Sequence, residues 1–265
     1  MTFTASQSTI PNVSFSIASA VCRRGVLRIV SRPALLLPII MMPVVMLVSF
    51  TGAFSSLTRI EGYGSENIYD WMAPYVALQG SVFAGVFAAG STAEDLESGF
   101  FDRLLLAPGG RVSLLIGTVW ISAIRSFFPT MAVLLVALIG GLDLSGGVLA
   151  VLFLFFSSAL LSSAFCLFSL TIVYRMRTIR SLMIVQLGAF SFFFLTIGQV
   201  PLDFMTGWLR DVARINPATN ILRFARQGFL EGITWETTWP GLLAFGIANF
   251  VGSIFAFRGL KRIGS

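Results

Sequence analysis

Four acids, Glu94, Asp95, Glu97 and Asp102, fall within nine positions of the stretch GSTAEDLESGFFDRLLLAPGG, which runs from Gly90 to Gly110. The chain holds 12 acids in 265 residues, so a third of them sit in one short segment. Glu94, Ser98 and Asp102 recur four apart, and Leu96, Phe100 and Leu104 do so on another side. That spacing predicts a short amphipathic helix over 94–108, ended by Pro108-Gly109-Gly110. Carboxylates so placed suit docking onto a basic surface; a solvated loop with incidental charge is the alternative.

Several other chemistries lack their residues. There is no His, which removes His-based zinc sites, Ser-His catalysis and His proton relays together. Cys22 and Cys166 are too few for a metal framework and too far apart in the chain to suggest a disulfide. The phosphate loop G-x-x-x-x-G-K-[ST] is absent, and Lys261 is the only lysine. The expectation is a chain with no catalytic residues, no metal and no cofactor of its own. It is not an enzyme, and any energy it uses comes from another protein.

The elements that position the acids are apolar. The chain is 56% hydrophobic and only 11% charged, with a mean hydropathy of +0.87. Stretches near the ~20 residues a bilayer-crossing helix needs occur six times: 34–54, 73–93, 112–140, 148–174, 181–200 and 239–257. The first begins behind four arginines and reads as a retained span, not as a cleaved leader. The predicted fold is all-α, a single transmembrane domain over residues 1–265. Pro38 and Pro43 predict a kink in the first span. Ser81, Gly85 and Ala89 predict close helix packing in the second.

An ion-coupled transporter needs ionisable groups within its spans, and here Arg125 is the clear one. It either snorkels to headgroups or meets an anionic substrate or a neighbouring helix. Ser157, Ser158, Ser162 and Ser163 of the fourth span, with Phe190, Phe192, Phe193 and Phe194 of the fifth, are candidates to line a path for bulky apolar cargo. Lipid-facing phenylalanine is the commoner case.

Six spans put both termini on one side. With the N-terminus inside, 12 basic residues fall on inner segments and five on outer ones, so the positive-inside rule places both ends in the cytoplasm. The net charge of +6 is therefore an orientation signal and not a nucleic-acid footprint. The acidic 94–108 segment then faces an anionic inner leaflet, which it avoids in favour of a protein partner. Arg24, Arg28 and Arg32 form one helical stripe within 13–32, read as a surface helix facing lipid phosphates or as the charged flank of the first span. Residues 201–238 read as two outer amphipathic helices. One starts at Asp203 as N-cap and runs to Arg214; the other starts at Asn216-Pro217 and stops near Gly232. They either re-enter the membrane or lie on its surface.

Two stretches carry a family resemblance. AEDLESGFFDRLLLAPGGRVSLLIG resembles the segment after the second span of ABC-2-type transporter permeases, closest to the daunorubicin-resistance, drug-exporter branch. PLDFMTGWLRDVARINPATNILRFARQGFLEG resembles that family's segment before the last span. The resemblance implies an inner-membrane, that is plasma-membrane, permease, dimeric with itself or a sister subunit. It implies cytoplasmic ATPase subunits that bind the ATP and Mg, and an N-terminal interfacial helix. It assigns Glu94, Glu97, Gly99, Asp102 and Arg103 to a coupling helix that contacts the ATPase, and Asn216, Pro217 and Arg226 to outer re-entrant helices. The implied function is export of a hydrophobic or amphipathic compound: a drug, an antibiotic or a lipid. Lipid-linked glycan or glycolipid export is the nearest alternative within the family. A stand-alone channel-like protein is the alternative outside it.

Overall fold

The computed structural model describes residues 10–60, 63, 65, 67–105, 110–230 and 232–263. Among them the secondary structure is helical throughout: α1 (Ile10–Ser31), α2 (Leu37–Phe54), α3 (Ile68–Glu97), α4 (Phe100–Leu105), α5 (Gly110–Ile139), α6 (Gly147–Met176), α7 (Ser181–Phe194), α8 (Trp208–Ile215), α9 (Pro217–Arg226) and α10 (Trp235–Ile263). Among the described residues five helices are long and apolar enough to cross a membrane: α2 with its 3-10 extension to Arg59, then α3, α5, α6 and α10.

α3 is the central post. Its side chains are buried along almost its whole length, whereas α2 and α10 are largely exposed, as lipid-facing helices are. Small residues make the centre possible. A Cβ on Gly85 would lie 2.2 Å from the backbone oxygen of Ser162 in α6, so only glycine permits that approach. Ser162 Oγ in turn donates to the Ser122 carbonyl of α5 at 2.9 Å, joining α6 to α5 beside the same contact.

Side-chain contacts sort the helix ends into two groups. At one end, the end of α3 meets α1 and the α6–α7 turn, and Arg111 Nη1 at the start of α5 donates to the Lys261 carbonyl near the end of α10 at 3.1 Å. At the other, Asn67 caps α3 by accepting from the Tyr69 N–H at 3.0 Å and donates to the Gly141 carbonyl beyond α5. Asp70 accepts from the Asp143 N–H at 2.9 Å and from Ser65 Oγ at 3.0 Å. The Gly146 N–H reaches the Gly228 carbonyl at 2.8 Å, bringing the start of α6 to the end of α9.

Several sequence expectations shift. The 94–108 segment is not one helix: α3 carries Glu94 to Glu97, Gly99 at φ +70° breaks the chain, and α4 begins at Phe100. Pro108 and Gly109 lie outside the described residues, and Gly110 opens α5. Pro38 falls in the first turn of α2, where its missing N–H has no intrahelical partner to lose; Pro43 is the interior one. The run expected to span at 181–200 is a helix of 14 residues followed by irregular chain. α8 starts at Trp208, because Leu202–Phe204 is a separate 3-10 turn and Gly207 at φ +66° stands between them, so Asp203 is not its N-cap. α9 opens at Pro217 behind Asn216 as expected, but ends at Arg226 and not near Gly232.

Candidate functional site: a clamped acidic end and a staple at the other

Each acid of the 94–102 cluster has a place. Asp95 accepts both guanidinium nitrogens of Arg24, at 2.8 Å each, and the Arg24 guanidinium lies 4.5 Å from the Phe100 ring centre. The paired carboxylate raises the Arg24 pKa above its ordinary value. Arg28 pairs with Glu94. Glu97 leaves α3 and accepts from Thr178 Oγ1 and the Ile179 N–H, both at 2.8 Å, capping the turn into α7. Asp102 and Arg103 stand exposed on α4, and neither is in an ion pair among the described residues. Phe101, just before them, is buried and faces Tyr174 of α6 at 5.9 Å between ring centres.

The expected coupling residues therefore come together at one end with two different jobs. Glu94, Asp95 and Glu97 bind α3 to α1 and to the α6–α7 turn, while Gly99 sets the bend and Asp102 and Arg103 remain available. The stripe assigned to lipid phosphate is corrected in part: Arg24 and Arg28 turn to the acids of α3, some 70 positions away in sequence. Arg32 is exposed.

Arg125 does not snorkel out: it is buried within α5, and its Nε has no hydrogen-bond partner. Its electrostatic neighbours are Cys166 of α6, with Arg28 and Glu94 of the clamp.

The path-lining candidates take different places in the bundle. Ser158, Ser162 and Phe193 are buried in the helix core, with Phe193 among Tyr75 and Phe165. Phe190 packs on Phe83 of α3 with ring centres 5.1 Å apart, and Phe194 is exposed. An apolar groove of about 430 Å³ does exist, lined by Phe165, Phe168, Phe192, Ile221, Ala248 and Val251 among others.

At the opposite end Asn216 and Arg226 hold irregular chain. Asn216 Oδ1 caps α9 through the Ala218 N–H at 2.9 Å, while its Nδ2 donates to the carbonyls of Phe192 and Leu195 where α7 ends. Arg226 is almost fully buried and donates four bonds. Nε and Nη2 reach the Trp71 carbonyl at 3.2 and 2.9 Å, Nη1 reaches Ile197 at 2.9 Å, and Nη2 reaches Gly198 at 2.7 Å. Carbonyls that leave a helix inside apolar surroundings must find donors in the protein, and this guanidinium supplies them. Its plane also lies 3.8 Å from the Trp71 ring centre. Sequence spacing missed Asp70 and Trp71, which meet Asp143 and Arg226 across 73 and 155 positions, and Gln227, which is held by Thr234 and Thr238. An acid or an amide at the edge of an apolar run was the available signal.

Residues 18–230 match the ABC-2 type transporter family. Over 205 residues, 74% of this chain and 68% of the relative, the sequence is 24% identical to the "Putative transport permease ycf38" of Cyanophora paradoxa. The family match spans the clamp, the core helices and the Arg226 staple, and on it the chain belongs to the ABC-2 type transporter family.

Proposed function

We propose that the chain is the permease subunit of an ATP-driven exporter, moving a hydrophobic or amphipathic compound out across the plasma membrane with energy from a separate ATPase. α7 runs antiparallel to α3, with Leu182 against Gly90, Phe190 against Phe83 and Gly198 against Tyr75. In this reading that short helix and residues 195–200 make the sixth crossing, and both termini lie in the cytoplasm. A second permease protomer covers the exposed Met183, Ile184 and Leu187 of α7. ATP and Mg belong to the ATPase.

The observation that carries the reading is the linkage at the charged end. A force on the exposed Asp102 and Arg103 of α4 passes to α3 through Gly99. It reaches α1 through Arg24–Asp95, and α7 through Glu97. Four elements thus move with one handle, as coupling to a nucleotide-driven partner requires. The apolar groove supports a bulky apolar cargo.

Co-expression with an ABC ATPase subunit from the same organism tests the proposal. Co-purification, and ATP hydrolysis that rises when the permease is present in vesicles, is the expected result. Unaided flux of apolar dyes through the chain alone, with no effect on the ATPase, would sink it.

A further inference from the structure

At the end of the bundle opposite the acids, a cavity of about 390 Å³ opens among Trp71, Asp203, Arg223, Arg226, Gln227 and Thr237, with residues around them completing its wall. Its chemistry is unbalanced. Arg226 is a buried cation whose bonds go to neutral carbonyls and not to a carboxylate. Burial pulls its pKa down to about 9, which leaves it charged at neutral pH. Burial pushes the neighbouring Tyr63 phenol up to about 12, so no phenolate offsets that charge. Arg223 adds a second, exposed cation. Among the described residues Asp203 is the one acid on the wall; its side chain is 89% exposed, and it approaches Arg210 at 3.8 Å.

Three donors are left over beside these charges. A guanidinium has five N–H groups, and Arg226 uses four of them, leaving one on Nη1. Gln227 is buried, and its Oε1 accepts from Thr238 Oγ1 at 2.9 Å and from the Thr234 N–H at 3.3 Å. The Thr234 N–H, which can only donate, sets the amide so that Nε2 is its free end, and Nε2 has no partner. The indole Nε1 of Trp71, also buried, has none either. Water could satisfy the donors but not the charge. An acceptor-only anion with several oxygens meets both demands.

We propose that this cavity binds a phosphoryl group, held by Arg226, Arg223, the Trp71 indole and the Gln227 amide. The group comes either from the headgroup of an anionic lipid or from free phosphate. The binding needs no ATPase, so its test is independent of the permease reading.

The full-length protein in a neutral detergent is titrated calorimetrically with short-chain phosphatidylglycerol, and separately with inorganic phosphate. Three variants leave the carbonyl staple in place: Arg223→Gln, Gln227→Glu and Trp71→Phe, which keeps an aromatic, though smaller, ring and loses the N–H. Each is expected to weaken binding about tenfold or more, the loss of one charge-assisted contact, with an unchanged melting temperature for Arg223→Gln. Phosphatidylglycerol binding that phosphate does not displace assigns the site to a lipid headgroup; variant-sensitive binding of phosphate alone assigns it to the free ion. Absence of binding by both probes, or equal binding by wild type, Arg223→Gln and Trp71→Phe, overturns the proposal.

Discussion

The clamp between α1 and α3 makes a quantitative prediction. Replacing Arg24 and Asp95 by Ala, singly and together, closes a double-mutant cycle on one interaction. Two N–H···O contacts at 2.8 Å form a bidentate, charge-assisted pair, of the class worth about 1.5–3 kcal/mol when shielded. Asp95 is 15% exposed but Arg24 is 47% exposed, so solvent screening reduces the pair to roughly 1 kcal/mol. The Phe100 contact at 4.5 Å adds about 0.5 kcal/mol to the loss at Arg24 alone. The coupling should therefore correspond to about a fivefold change in the folding equilibrium. Thermal or denaturant unfolding in detergent reads it, and the charge swap Arg24→Asp with Asp95→Arg should recover part of it. ATPase stimulation by the same variants reads the functional side: both single variants should weaken it, and the swap should restore it. Additive single effects, or full stimulation by Arg24→Ala, would refute the clamp as a link between the surface helix and the acidic segment.

Other perturbations have definite outcomes. Gly85→Ala places a Cβ 2.2 Å from the Ser162 oxygen, so α3 and α6 must part by about 1 Å to restore normal contact, at a cost of roughly 2–3 kcal/mol in unfolding measurements. Arg226→Met strands the carbonyls of Ile197 and Gly198 beyond α7 and removes the extra bonds to the Trp71 carbonyl of α3, and should cost about 3 kcal/mol or more in the same assay. Arg226→Lys recovers only part of that, because an ammonium lacks the planar fork. Asp102→Lys combined with Arg103→Glu should leave the melting temperature unchanged, since both side chains are exposed, yet reduce ATPase co-purification severalfold.

What the chain revealed in advance was local. Hydropathy marked six runs, five of which are helices long and apolar enough to cross a membrane, and Asn216-Pro217 marked the start of α9, because an N-cap and a fixed φ act within one turn. The close approach at Gly85 was visible in the small-residue row. What stayed hidden depends on partners far away in sequence. The apolar run at 181–200 reads as continuous helix, yet it leaves helical geometry after Phe194 and is held there by Asn216 and Arg226. No periodicity announces a donor nearly 30 positions downstream. Likewise the arginines of α1 share a face that would suit lipid phosphate equally well. Only the fold sets Arg24 opposite Asp95, 71 residues on. The break at Gly99 was legible as a glycine but was outweighed by the i+4 pattern that runs across it.

The central claim is that the bundle end bearing α4 docks a separate ATPase. A photoreactive amino acid placed at Asp102, with a control at Asp211 on α8 near the opposite end, tests it directly in membranes that also contain a co-expressed ABC ATPase subunit from the same organism. The account predicts an ATPase adduct from position 102, altered in yield by ATP, and none from position 211. An adduct from position 211, or none from position 102 while transport continues, would contradict it.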